Sequence, residues 1–192
     1  MQKSITHEEI NELPLNQFNG PITVIENKEH ILQVLEKLST NSVVGFDTET
    51  RPSFKKGQSN NISLLQLSSD TECFLIRLNK TGITEELVQF FSNSSIDKVG
   101  VGIRDDIRGL QKLSDFEPAG FIELQTMATD KGFENFSLKK LAGILLKFRV
   151  SKRQRLSNWD AEELAQGQIV YAATDAWVAL GIYKKLQQVV AV

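Results

Sequence analysis

The order of its apolar segments is what most constrains this chain. Three short β-branched and apolar runs follow one another with no helical pattern between them: Ser42 to Thr48, Ile62 to Leu67 and Glu72 to Ile76. The polar Ser68-Ser69-Asp70 between the last two is a hairpin turn, too short for a crossover, so those strands pair antiparallel. The rhythm then changes. Thr84 opens an amphipathic helix carrying Leu87, Val88, Phe90 and Phe91, and Lys98 to Ile103 is a strand. A helix follows from about Asp105 to Leu113, then a further strand over Phe121 to Leu124. Helical crossovers of this kind give parallel pairing. Upstream, Ile22 to Ile25 is a short strand, and Lys28 to Leu38 places Ile31, Leu32, Val34, Leu35 and Leu38 at helical spacing. Downstream, Ser137 to Leu146 is a helix, and residues 160–189 form one or two more. The fold class is therefore α/β, with a mixed sheet of five to six strands flanked by helices.

A length of 192 residues fits one domain of ordinary size, and no repeat or linker divides it. Residues 1–20 read as an N-terminal arm, in which Thr6-His7-Glu8-Glu9 is a capping box and Ile10 and Leu13 form the apolar side of a short helix. Residues 21–192 form the domain proper. The single Cys73 can make neither an internal disulfide nor a cysteine zinc site, and reads as a small core residue. Two histidines leave little room for histidine-centred catalysis. No apolar run approaches the ~20 residues that span a bilayer, and the N-terminus has no apolar signal region. The expectation is a cytoplasmic protein without a membrane partner, and no protein partner can be identified.

The chemistry lies in the acids. Val43-Val44-Gly45-Phe46-Asp47-Thr48-Glu49-Thr50 ends an apolar strand in two carboxylates, and strand alternation puts Asp47 and Glu49 on one face. Like charges so placed repel unless water or a cation separates them, and oxygen donors without His or Cys suit Mg²⁺ or Mn²⁺. Taken alone, the pair is equally a solvated strand end. Val99-Gly100-Val101-Gly102-Ile103-Arg104-Asp105-Asp106 lacks the third glycine of a dinucleotide loop. Its glycines read as close packing where strand meets helix, and its aspartates as helix-start carboxylates, one of which can be a mere cap. In Tyr171-Ala172-Ala173-Thr174-Asp175 the phenol and carboxylate sit four residues apart on one helix face, in a stretch otherwise rich in Ala, Val and Leu. A buried structural Tyr–Asp pair would look the same. Together, four carboxylates and a tyrosine around one sheet make a two-metal site in which Asp47 bridges, suited to in-line phosphoryl displacement.

The stretches GFDTET, KVGVGIRDDIRGL and QIVYAATDAWVALGIY resemble the three motifs of the DEDDy 3′–5′ exonucleases, nearest to the ribonuclease D and Werner syndrome exonuclease branch. ISLLQLSS, FIELQTMA and SLKKLAGILLKFRVSKRQRLSNWD are also similar, so the likeness spans roughly residues 22–190. The resemblance implies a ribonuclease H-like fold and removal of 3′-terminal nucleotides from DNA or RNA as nucleoside 5′-monophosphates. It implies two divalent cations, Mg²⁺ or Mn²⁺, held by Asp47, Glu49, Asp106 and Asp175, with Asp47 on both. Tyr171 would hold the attacking water or help deprotonate it. Asp105 stands where related sequences often have a small residue and is left out of the site. The rival reading is a nucleic-acid-binding module that has lost catalysis.

Single-stranded or 3′-recessed nucleic acid is the expected partner. Lys139, Lys140, Lys147, Arg149, Lys152, Arg153 and Arg155 form a basic run without an acid, able to grip phosphates or simply to be a solvated face. Arg51, Lys55, Lys56, Arg104 and Arg108 can add to that field. Phe54, Phe133 and Phe136 fall in loops, where an aromatic can stack on a base or anchor the loop. Trp159 reads as a packing anchor. The expected contacts are thus Thr48, Arg51, Phe54, Arg108, Phe136, Lys152, Arg153 and Arg155. The net charge of −2 argues against such a partner only until the four acids are set aside, which leaves 20 acids against 22 basic residues.

Overall fold

The computed structural model describes residues 2–53, 57 and 59–189. Its centre is a six-stranded mixed sheet, as the alternation of segments requires. The strands are β1 (Ile22–Ile25), β2 (Val43–Thr50), β3 (Ile62–Ser68), β4 (Cys73–Ile76), β5 (Asp97–Gly100) and β6 (Phe121–Glu123), in spatial order β1-β4-β3-β2-β5-β6. The two hairpin-like connections give antiparallel β2–β3 and β3–β4. The pairs joined through helices, β2–β5 and β5–β6, are parallel, and so is β1–β4.

One face of the sheet is covered by α2 (Ile31–Leu38), α4 (Glu85–Phe91) and α5 (Ile103–Gln111), which bury Val34, Leu38, Phe91 and Leu110 against Val44, Phe46, Leu65 and Leu67. The short α3 (Leu78–Thr81) adds Leu78 to the same cluster, and α1 (His7–Glu12) buries Ile10 in a different one. The other face carries α6 (Leu124–Asp130), α7 (Leu138–Leu141) and the long α8 (Gln166–Gln188). There Ala172 and Ala173 pack on Leu64, Cys73 and Leu75. A third cluster gathers Leu124, Leu141, Val178 and Ile182. Small residues let α8 come very close to the sheet. A Cβ on Gly45 of β2 would strike the Ala176 carbonyl of α8, so only glycine fits there.

Several boundaries differ from the periodicity. Leu32 is half exposed and lies off the buried stripe of α2. β5 ends at Gly100 because Gly102, at φ 81°, turns the chain into α5 two residues before the expected start. A Cβ on Gly100 would meet the Phe46 carbonyl, which accounts for that glycine by close packing. β6 passes at once into α6, a two-turn helix whose short apolar stripe, Leu124, Met127 and Ala128, runs on from the strand without a break. The expected helix over 137–146 is one turn of α7 followed by a π-turn, Ala142–Leu146, that Lys147 closes at φ 61°. Residues 166–188 form one helix, not two.

The capping box at Thr6 is present and starts α1. The N-terminal residues pack on the rest of the fold. Ile5, Ile10 and Phe18 are buried, Ile5 N–H donates to Asn135 Oδ1 at 2.9 Å, and Leu15 bridges to Arg149. Among the described residues no helix is long and apolar enough to cross a membrane.

Candidate active site

The site forms at the seam between β2 and α8. Phe46 enters the core on one face of β2, so strand alternation turns Asp47 and Glu49 to the other, toward α8. On α8, Tyr171 and Asp175 are one turn apart and hydrogen-bond to each other. Thr48 points away from that pair and its hydroxyl donates to Asp106 Oδ1 of α5, which draws the second motif in. The five predicted residues are thus brought together from two helices and one strand. Asp105 is exposed instead and pairs with Arg108 at 3.2 Å, so Asp106 alone of the two faces the acids.

Electrostatics registers this closeness. Burial pushes Asp47 well above the usual carboxylate range, and Asp175, Asp106 and Glu49 push it further. Burial raises Glu49 to about 9, again helped by Asp175 and Asp106 and opposed by the cationic Arg155. Asp106 rises to about 6 through burial, although the Thr48 hydroxyl holds it down. Asp175 is raised by burial while its bond from Tyr171 lowers it. The Tyr171 phenol is pushed far above its usual value by burial and then by the charges of Asp175 and Glu49. A phenolate is therefore disfavoured here, and Tyr171 is a proton donor to Asp175 rather than a base.

A hard divalent cation suits this donor set. All four acids offer oxygen only, each is raised by burial, and mutual repulsion adds to the rise of Asp47 and Glu49. Positive charge reverses that penalty. Gln66, directly across β3 from Asp47, is fully buried, and both polar atoms of its amide lack a partner among the described residues. As the side chains stand, no three acidic, His or Cys groups among the described residues converge on a single metal position. The fit therefore rests on the chemistry of the donors and on their electrostatic proximity.

Two clefts flank the acids. One, of about 570 Å³, runs from Tyr171 and Asp175 past Lys139, Arg149, Lys152 and Arg153 to the arm residues Leu15, Asn16 and Gln17. The other, of about 440 Å³, is lined by Arg104, Arg108, Gln125 and Phe136. The expected substrate contacts are thus divided. Lys152 and Arg153 belong to the cleft of Tyr171, whereas Arg108 and Phe136 belong to the second. Arg155 is exposed yet close enough to favour the charge on Glu49. Thr48 is committed to Asp106, and Arg51 is exposed while its carbonyl accepts from Asn60. Phe133 is 3% exposed with the Lys3 ammonium over its ring, so it cannot stack on a base. Phe54, Lys55 and Lys56 lie outside the described residues.

Sequence patterns did not reveal what fixes the basic loop. Trp159 is fully buried, as expected of an anchor, with its ring 6.1 Å from that of Tyr171. Ser63 Oγ donates to Asp160 at 2.7 Å. The guanidinium of the fully buried Arg77 donates to the carbonyls of Ala161 and Glu162 and to the Glu26 carboxylate. Gln168 Nε2 donates to Ser157 Oγ and to the Asn158 carbonyl. The only local signal was Arg77 directly after an apolar strand, where a charge needs a buried partner.

Comparison with known proteins decides the family. The sequence profile described as 3′–5′ exonuclease matches residues 22–191. The chain belongs to the 3′–5′ exonuclease family. It is 33% identical over 196 aligned residues to the mouse bifunctional 3′–5′ exonuclease/ATP-dependent helicase WRN, covering 97% of this chain and 14% of that protein. It is 30% identical to a 3′–5′ exonuclease of Arabidopsis thaliana, covering 91% of this chain and 66% of the relative. The chain therefore spans less than the full length of both relatives. The fold is that of Trypanosoma brucei RNase D, solved in complex with RNA U12. That structure superposes with a TM-score of 0.78 at 19% identity, over 88% of this chain and 63% of the other. The ribonuclease D-like, mixed-sheet expectation holds.

Proposed function

We propose that this chain removes 3′-terminal nucleotides from single-stranded or 3′-recessed DNA or RNA, releasing nucleoside 5′-monophosphates by a two-metal route. One observation carries the reading: Tyr171 and Asp175 line a cleft whose rim is cationic, and Asp47, Glu49 and Asp106 are close enough to Asp175 and to one another for their charges to repel. Asp47, Glu49, Asp106 and Asp175 would hold two Mg²⁺ or Mn²⁺ ions. When bound, such ions supply charge stabilisation to the attacking and leaving oxygens and lower the pKa of bound water.

The chain's own groups divide the remaining work. Asp47 and Glu49, fixed by β2, and Asp175, fixed by α8, set the spacing of the acids. Thr48 holds Asp106 by its hydroxyl. Tyr171 keeps its proton, orients the Asp175 carboxylate and offers its hydroxyl to the attacking water. Lys152 and Arg153 take the phosphates that approach along the cleft.

The test is hydrolysis of 5′-labelled single-stranded DNA, 3′-recessed duplex DNA and RNA with Mg²⁺ or Mn²⁺, with and without EDTA. Stepwise shortening from the 3′ end that EDTA abolishes is expected. Binding without any shortening would favour a module that has lost catalysis. Tyr171→Phe should lower kcat by ~10²-fold with the metal affinity of the protein unchanged; isothermal titration with Mn²⁺ beside the kinetics checks both.

A further inference from the structure

The arm that precedes the family-matched span makes one wall of the catalytic cleft. Leu15, Asn16 and Gln17 line it together with Tyr171, Asp175 and the cationic rim. Their backbone is pinned on both sides. Asn16 N–H donates to the Arg149 carbonyl at 3.0 Å, and Arg149 N–H donates to the Pro14 carbonyl at 2.9 Å. Phe18, buried, donates its N–H to Thr174 Oγ1 at 3.0 Å, next to Asp175. The segment between these anchors is therefore set in place before any ligand arrives.

Two side chains on that segment, Leu15 and Gln17, have no evident work in the fold, while Asn16 Oδ1 accepts from the Gln17 N–H at 2.9 Å and leaves its NH₂ group to the cleft. Leu15 is 54% exposed, one of few large apolar side chains that face solvent. Gln17 is exposed, and its side-chain amide has no partner among the described residues. The two walls differ in kind. Lys139, Arg149, Lys152 and Arg153 supply positive charge, whereas the arm's cleft residues supply one apolar surface and two amides without charge. A nucleic-acid strand has the same two sides. Its phosphates are anionic, and its bases offer apolar faces with donor and acceptor edges. Matching charge to charge places phosphates on the basic rim and turns the bases toward the arm.

We propose that Leu15, Asn16 and Gln17 form the base-contacting wall of the cleft, with Leu15 packing on a base near the 3′ end and the two amides meeting base edges. The proposal rests on the exonuclease reading for the presence of a nucleic-acid strand in the cleft. It assigns the arm a role in substrate selection, with Leu15 and Gln17 as specificity-determining residues.

The test is the dissociation constant of labelled single-stranded oligothymidylate, and of the same oligonucleotide with abasic 3′-terminal residues, by fluorescence anisotropy with Ca²⁺. Leu15→Ser combined with Gln17→Ala should weaken binding of the base-bearing strand about fivefold. The abasic strand, which has no base to lose, should bind the variant and the unaltered protein alike. The slope of affinity against salt should stay the same, because every phosphate-binding cation is retained. Equal weakening on both strands would overturn the proposal, since the arm would then act only by shaping the cleft. So would an unchanged affinity for the base-bearing strand. Hydrolysis of oligothymidylate by the unaltered protein with Mg²⁺ is read separately. Its absence would sink the exonuclease reading while leaving the binding comparison to decide the base wall.

Discussion

The acids and the cations of this site are held in different ways. Asp47 and Glu49 sit on β2, Asp106 on α5, and Tyr171 and Asp175 on α8, so regular backbone fixes every one. Lys152, Arg153 and Arg155 sit between the π-turn and α8, where no helix or strand is present. That stretch is fastened by side chains: Trp159 in the core, Ser63 on Asp160, Arg77 on two carbonyls and Gln168 on Ser157 and Asn158. Reactive groups need a geometry fixed to fractions of an ångström, which a sheet and a helix supply. Phosphate binding tolerates looser placement because the charge interaction falls off gradually with distance. The difference teaches where each kind of damage should show: in turnover for the acids, in affinity for the cations.

The comparison can be broken at its strongest point first. Asp47→Ala should lower kcat by ~10³-fold or more while the far-UV spectrum stays native, since it removes a buried carboxylate that the neighbouring acids repel. Retained turnover would remove Asp47 from the chemistry and with it the distinction between the two regions. Arg77→Met should cost about 3 kcal/mol in chemical denaturation, because it takes the buried donor from two loop carbonyls, while the half-exposed Glu26 keeps Lys80. Measured on folded enzyme, KM should rise more than kcat falls. A fall in kcat alone would mean that the loop serves the chemistry and not the grip. Lys152→Ala with Arg153→Ala should weaken binding several-fold and reduce the salt slope by about 0.7 for each phosphate of a single strand that is no longer neutralised. An unchanged slope would make these two residues a solvated face.

The smallest effect concerns stability and pH. Glu49, raised to about 9, and Asp106, raised to about 6, hold protons more tightly in the folded state than in the unfolded chain. The stability they contribute is present below their ordinary pKa values and is lost as pH rises through the raised ones. In EDTA, the melting temperature should therefore decline between pH 6 and pH 9. Added Mn²⁺ should flatten that decline, and Glu49→Gln should do so in part. A melting temperature that rises over this interval in EDTA would show that the acids do not crowd one another.

How much of this was legible in the sequence depended on distance along the chain. The strands and most helices were visible because hydrophobic periodicity is local. Val101 and Ile103 are apolar and extend the strand pattern past Gly100, and only the conformation of Gly102 ends β5. α6 is hard to read because its stripe is only Leu124, Met127 and Ala128 and it begins where β6 stops. The five site residues were legible since each motif pairs acids, or a tyrosine and an acid, at a spacing that one element converts into a shared face. The fastening of the basic loop was not. Ser63 and Asp160 lie 97 residues apart, and Arg77 and Ala161 lie 84 apart. No local pattern carries such a pairing. The division of Arg108 and Phe136 from Lys152 and Arg153 is likewise invisible, because it depends on which cleft α5 and the loops face.

Gly45 touches no substrate and carries no chemistry, yet it sets a length. With no side chain, it lets the Ala176 carbonyl rest on β2 one residue after Asp175 and two residues before Asp47. The missing methyl acts as a spacer of zero thickness between the two elements that carry most of the acids. Adding it would lever α8 outward and widen the gap between Asp47 and Asp175 together with Tyr171. The calibration of this centre is thus written partly in an atom the chain does without.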